Sequence, residues 1–169
     1  MKISKMVEKY KNDAEFKDEF MRITLQLSEQ RFTTLIITTK KSRLKYANEI
    51  LRSLGYRFEE PCKAKVKDPE DYRGYIYKEN YRSIASKATI ASLINENSKS
   101  AEFMEDLDIA MKDISYQYWK NEVTITTNIL EPKYFDEIME VLGYKFDKTG
   151  YISVNAGGCY TPYMYKSIY

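Results

Sequence analysis

Tyr72–Tyr81, YRGYIYKENY, returns at the other end of the chain as Tyr160–Tyr169, YTPYMYKSIY, with all four tyrosines and the lysine in register. Outward from this stretch, a shift of 88 residues lays Thr34–Phe58 (TLIITTKKSRLKYANEILRSLGYRF) on Glu122–Phe146 (EVTITTNILEPKYFDEIMEVLGYKF) without a gap, and 11 of the 25 positions are identical. Further upstream the shift falls to 87, which places Ala14–Phe20 on Ala101–Leu107 and Ile3, Met6 and Val7 on Ile90, Leu93 and Ile94. Self-similarity at a fixed period is the mark of a repeat architecture and has to be settled before any motif is read. The chain reads as a tandem duplication. Residues 1–82 form a first repeat and 83–169 a second, joined by a helical connector over about 83–95, a segment with no Gly or Pro.

Each repeat can be read twice. Ile3, Met6, Val7 and Tyr10 recur at helical spacing, and in the second copy this helix is expected to begin earlier, near Ser83. A second helix over about Ala14–Ser28 gathers Phe16, Phe20, Ile23 and Leu27 into one stripe, matched by Phe103, Leu107, Ala110 and Ile114. The β-branched runs Thr33–Thr39 and Glu122–Thr127 have the composition of strands. A third helix follows, with Leu44, Ala47, Ile50, Leu51 and Leu54 on one face and Pro132, Phe135, Ile138, Met139 and Leu142 as their partners; the proline suits a first helical turn. Gly55 and Gly143 fall just past the last apolar position, where the left-handed conformation closes a helix. Alternating aromatics then begin a strand, and the tyrosine-rich stretch supplies another. The expected fold class is α+β: two copies of an α-α-β-α-β-β unit forming a single pseudo-twofold molecule. Phe16, Phe20, Ile37, Ile50, Leu54 and Phe58 are expected to be buried, with Phe103, Leu107, Ile125, Ile138, Leu142 and Phe146.

At the level of fold alone, a strand followed by a helix ending in Leu-Gly-aromatic, present twice, resembles the duplicated βαββ modules of gyrase-inhibitor-like small-molecule binders. It also resembles the βαβββ modules of vicinal-oxygen-chelate proteins. The second resemblance cannot extend to metal binding through histidine, because the chain has none.

That absence removes Ser-His-Asp and Cys-His nucleophiles, His-containing zinc sites and imidazole acid–base chemistry together. No Gly-rich phosphate loop with its lysine is present, and Gly157-Gly158 reads as a turn between strands. No enzyme activity, cofactor, metal or catalytic residue is expected. No run approaches the roughly 18 apolar residues of a membrane span, and the first residues lack the apolar stretch of a signal peptide. A cytoplasmic protein follows from that reading. Cys62 and Cys159 occupy non-equivalent positions, so reduced thiols are expected.

Three patterns remain as candidate sites. Tyr75, Tyr77, Tyr163 and Tyr165 share one strand face, where ring faces could stack single-stranded nucleic acid or simply form the core face of the sheet. Residues 1–88 carry 20 Lys and Arg against 13 Asp and Glu, a balance of +7, whereas residues 89–169 carry 7 against 12, a balance of −5. The basic excess gathers at Lys40, Lys41, Arg43 and Lys45, at a strand-to-helix turn where a helix N-terminus also favours an anion, and at Lys63, Lys65 and Lys67. The acidic counterpart is Glu105, Asp106 and Asp108, read as the outer surface of a helix.

Charge of this kind suggests a partner: a protein or a nucleoprotein complex, with nucleic acid touched by the basic half. Short Lys/Ile/Asn/Tyr-rich chains without a recognisable motif are frequent among phage and mobile-element inhibitors of host defence, including anti-CRISPR proteins, which sets the leading expectation. The alternatives are a small-molecule or nucleotide binder using an aromatic cleft between the repeats, closed by Trp119, and a single-stranded nucleic-acid binder. Oligomeric state, biological source and the packing of one repeat on the other are not legible.

Overall fold

A computed structural model describes residues 1–30, 34–39, 44–63, 73–79, 89–117, 122–129, 132–151, 153–155 and 158–168. The protein is a mixed α+β fold. Among the described residues it has six helices and two antiparallel sheets. Helices α1 (Ile3–Tyr10) and α2 (Ala14–Gln30) lead into strand β1 (Thr34–Thr39), helix α3 (Ala47–Ser53), β2 (Tyr56–Lys63) and β3 (Arg73–Glu79). The same order follows in α4 (Ile90–Glu96), α5 (Ala101–Gln117), β4 (Glu122–Thr127), α6 (Phe135–Leu142) and β5 (Tyr144–Thr149), with a short β6 (Ser153–Asn155) inserted before β7 (Gly158–Ser167).

The two sheets agree in detail. Their strand orders are β1-β3-β2 and β4-β7-β5, so the last strand of each half lies in the middle. Leu35 faces Tyr77 as Val123 faces Tyr165, and Ile37 faces Tyr75 as Ile125 faces Tyr163. A bulge interrupts the outer pairing between Phe58 and Glu60, and again between Phe146 and Lys148. Asp13 starts α2 by accepting the N–H groups of Glu15 and Phe16, while Ser100 starts α5 by accepting that of Phe103.

The apolar stripes meet in one core. Phe16, Phe20, Ile23 and Leu27 of α2 are buried, as are Phe103, Leu107, Ala110 and Ile114 of α5, and α2 packs on α5 at the centre of the molecule. Polar side chains seal what the stripes leave open. Sheet-edge strand β1 has no strand on its outer side among the described residues; instead Gln30 accepts from the Ile36 N–H and donates to the Ile36 carbonyl, and Gln26 does the same for Thr38. In the second half Gln117 treats Thr124 likewise, while Asp113 accepts from Thr126. A helix thus takes the place of a fourth strand and covers an edge that would otherwise invite pairing.

The halves close each other's helices. Gly55 and Gly143 both have φ of +96°, and both stop a helix as the sequence requires. The Ser4 hydroxyl donates to the Gly143 carbonyl at 2.7 Å and the Lys2 ammonium to the Glu140 carbonyl at 2.8 Å. Reciprocally, the Ala91 N–H donates to the Leu54 carbonyl at 3.0 Å, and Thr89 and Ala91 crowd Gly55 as Ser4 and Lys2 crowd Gly143. A side chain on either glycine would collide with the other half of the molecule.

Several expectations need correction. Helix α4 begins at Ile90 and not near Ser83: Thr89 is extended, and with Ser92 it forms a reciprocal capping box that starts the helix there. Of the expected connector, residues 83–88 lie outside the described residues. Leu44 and Pro132 precede their helices, whose N-caps are Tyr46 and Tyr134. Phe58 and Phe146 are 45% and 42% exposed, not buried, because each lies on an outer strand beside a bulge and has its ring covered on one side only, by Tyr77 and Tyr165. The strand expected to lead into the turn at Gly157-Gly158 is a separate β6, apart from β5; it pairs with the near end of β7 beyond the sheet.

Candidate interaction surfaces

The strand-to-helix turn that drew attention for its lysines is supplied with an anion from inside. Glu19 of α2, fully buried, accepts the backbone N–H groups of Lys45 and Tyr46 at 2.8 and 2.7 Å. Those donors belong to the two residues that lead into α3, Tyr46 being its N-cap, so a carboxylate of the same chain lies under the approach to the helix that was expected to attract a phosphate. Lys45 itself lies 3.7 Å from Asp13 and 3.8 Å from Glu15, with its ammonium 4.7 Å from the Tyr46 ring centre. The Tyr46 hydroxyl bond and the Phe16 N–H hold the Asp13 carboxyl below the usual carboxylate range. Lys40, Lys41, Arg43, Lys65 and Lys67 lie outside the described residues. So does Trp119, and Lys63 is placed by its backbone in β2.

Asp106 is the counterpart of Glu19 and corrects the expectation of an acidic outer face. It is 2% exposed and accepts the Tyr134 N–H at 2.9 Å where α6 begins. Burial raises its carboxyl pKa, opposed by the N–H groups of Tyr134 and Lys133. Glu105 is exposed, and Asp108 is paired with Lys112 at 2.9 Å one turn on. The face reduces to Glu105 and a neutralised Asp108. Among the described residues no group of three or more His, Cys, Asp or Glu is arranged to hold a metal ion.

The tyrosines belong to the core side of their sheets. Tyr77 and Tyr165 are 3% and 1% exposed, and their hydroxyls donate to Asn48 at 2.9 Å and Asp136 at 2.8 Å, equivalent positions on α3 and α6. Tyr75 and Tyr163 pack partly buried against the same core, Tyr163 edge-on to Phe135 at 5.8 Å. Rings held this way offer no open face on which Tyr77 or Tyr165 could stack a base. The Tyr77 phenol is pushed up to about 12 by burial and Tyr165 higher still, so both act as neutral donors.

Two surface features escaped the sequence. A pocket of about 420 Å³ opens where the N-terminus of the first half meets the second, lined by Lys2, Asp136, Glu140, Tyr144, Phe146 and Ile168. Its lining mixes two exposed apolar side chains with both signs of charge, and it lies beside α6, away from the central α2–α5 contact. The other feature is the β6–β7 hairpin, where Tyr151 is 96% and Val154 75% exposed. Its signal was present as the uncharged Tyr151, Ser153 and Asn155 where the first half has lysines, but an exposed valine cannot be told from a core valine by type alone.

No helix of the described residues is long and apolar enough to cross a membrane. No protein-family profile, curated protein or solved structure matches the chain.

Proposed function

We propose that this chain is a non-enzymatic binding protein, a tandem duplication whose two copies keep a common frame and have diverged on their surfaces to engage a protein or nucleoprotein partner. One observation carries the reading: the polar features that recur in both halves are consumed by the fold, whereas the halves differ in net charge, +7 against −5. The buried carboxylates at helix starts, the edge-covering glutamines and the tyrosine hydroxyl bonds all recur. Surfaces freed from fold maintenance are where selection for a partner can act. A basic half suits nucleic acid or an acidic protein surface, and an acidic half suits the basic channel of a nucleic-acid enzyme. Inhibition of host defence machinery by a phage or mobile-element protein acting in the cytoplasm, in the manner of an anti-CRISPR protein, fits that division of charge.

The experiment is a pull-down from host lysate with and without nuclease, comparing the wild type with Lys40→Asn/Lys41→Ile/Arg43→Glu, which installs the second copy's residues. Capture of a defined partner that the triple variant loses at unchanged melting temperature supports the reading. Capture of nothing by the wild type removes it. A second reading, a small-molecule site, is favoured by the pocket at Lys2, Tyr144 and Phe146. Melting shifts across a nucleotide and metabolite panel test it.

A further inference from the structure

We propose that the β6–β7 hairpin is a self-association surface, on which β6 of one molecule pairs antiparallel with β6 of a second copy across a twofold axis. The inference stands apart from the partner reading above and starts from charge. Gly150–Tyr165 contains no Asp, Glu, Lys or Arg in a chain that is 31% charged, whereas the equivalent stretch of the first half, Cys62–Tyr77, contains seven such residues. Lys63, Lys65 and Lys67 give way to Tyr151, Ser153 and Asn155.

Part of the stripped stretch is presented outward. Tyr151 and Val154 are 96% and 75% exposed and Cys159, directly opposite Val154 in the ladder, is exposed too. Among the described residues β6 pairs with β7 alone, and none of them pairs with its other edge. Natural edge strands are protected by lysine, proline, bulges or a covering element. Here β1 is covered by Gln26 and Gln30, and β5 carries lysines and a bulge, while Ser153-Val154-Asn155 has none of these devices.

Neutrality selects the occupant. On a twofold axis the central residue faces its own copy and its neighbours lie close to theirs, so any charge there meets a like charge nearby; a charge-free edge avoids that repulsion. A phosphate backbone or an anionic membrane would want cations that the hairpin lacks. The overall charge of +2 is too small to keep two copies apart.

Sedimentation equilibrium of the full chain tests this. A discrete dimer is expected for the wild type, weakened at least about tenfold by Val154→Lys, which places two lysines at the axis, and by Tyr151→Ser. Both side chains are exposed, so folding, checked by thermal melting, is expected to be unchanged. Phe146→Ser, on the other exposed apolar patch, should leave the dimer intact. With the two Cys159 three strand spacings apart, about 14 Å, a bis-maleimide of that span should join two chains through Cys159, persist in Cys62→Ser and vanish in Cys159→Ser. A monomer at every soluble concentration, an open-ended polymer, or a dimer indifferent to Val154→Lys overturns the proposal.

Discussion

The Glu19 carboxylate accepts the Tyr46 backbone N–H at 2.7 Å, reaching from the middle of one helix to the first turn of another 27 residues on. With its other oxygen on the Lys45 N–H, Glu19 fixes the two residues that lead into α3, Tyr46 being the helix's N-cap. Glu19→Ala strands one buried and one partly buried donor and should cost about 1–3 kcal/mol, read as a lower urea midpoint at unchanged slope. Asp106→Ala should cost less, because burial already disfavours its charged form.

Asp113 stands where the first half has Gln26. It accepts the Thr126 N–H at 3.0 Å, and burial raises its pKa against that bond. A carboxyl whose folded pKa is raised contributes stability that is fully present below its unfolded value, near 4, and is lost as pH rises through the folded value. Asp113→Asn keeps the acceptor and drops the charge. It should stabilise the protein at neutral pH by about 0.5–1 kcal/mol, partial exposure keeping the figure small, and the gain should vanish toward pH 4.

Gly143 combines a left-handed backbone with a collision course toward Ser4. Gly143→Ala should destabilise by about 2 kcal/mol or more, since strain at positive φ adds to the steric conflict. Ser4→Ala should cost about 1 kcal/mol for its lost hydrogen bond, and the two changes together should cost less than their sum. A double-mutant cycle by thermal melting measures that coupling.

Tyr77→Phe and Tyr165→Phe remove one hydroxyl bond each and should cost about 0.5–1.5 kcal/mol. With the folded Tyr77 phenol near 12, its share of stability is intact below the ordinary phenol value near 10 and drains as pH rises toward 12. Alkaline melting curves of wild type and Tyr77→Phe should therefore converge as pH rises through that interval.

Apolar periodicity carried the helices, and the Leu-Gly-Tyr stops carried their ends, because burial of a stripe and a left-handed glycine are local properties of a sequence. What it could not carry are polar side chains bonded to distant backbone. Glu19, Gln26 and Gln30 look like solvated positions on an amphipathic helix until β1 and the start of α3 are brought beside them. Phe58 and Phe146 misled for the opposite reason. Identity in both copies suggested core, yet both lie on outer strands with no neighbour on one side among the described residues. The lysine-rich turn was legible as charge, but not that a buried Glu19 holds the backbone of Lys45 and Tyr46 beside it.

The bond from Ser4 to the Gly143 carbonyl has a consequence in time. A ribosome adding about 5–20 residues per second makes Ser4 wait roughly 7–28 s for the carbonyl it will bind. The first half cannot finish early either, since the end of α3 is met by Thr89 and Ala91 of the second. Neither half can reach its final form on its own during synthesis. The Ser4 end of α1 and the α2 face that α5 covers must therefore stay open until the matching parts of the second half emerge, and that interval is when chaperones or proteases have their best access to them.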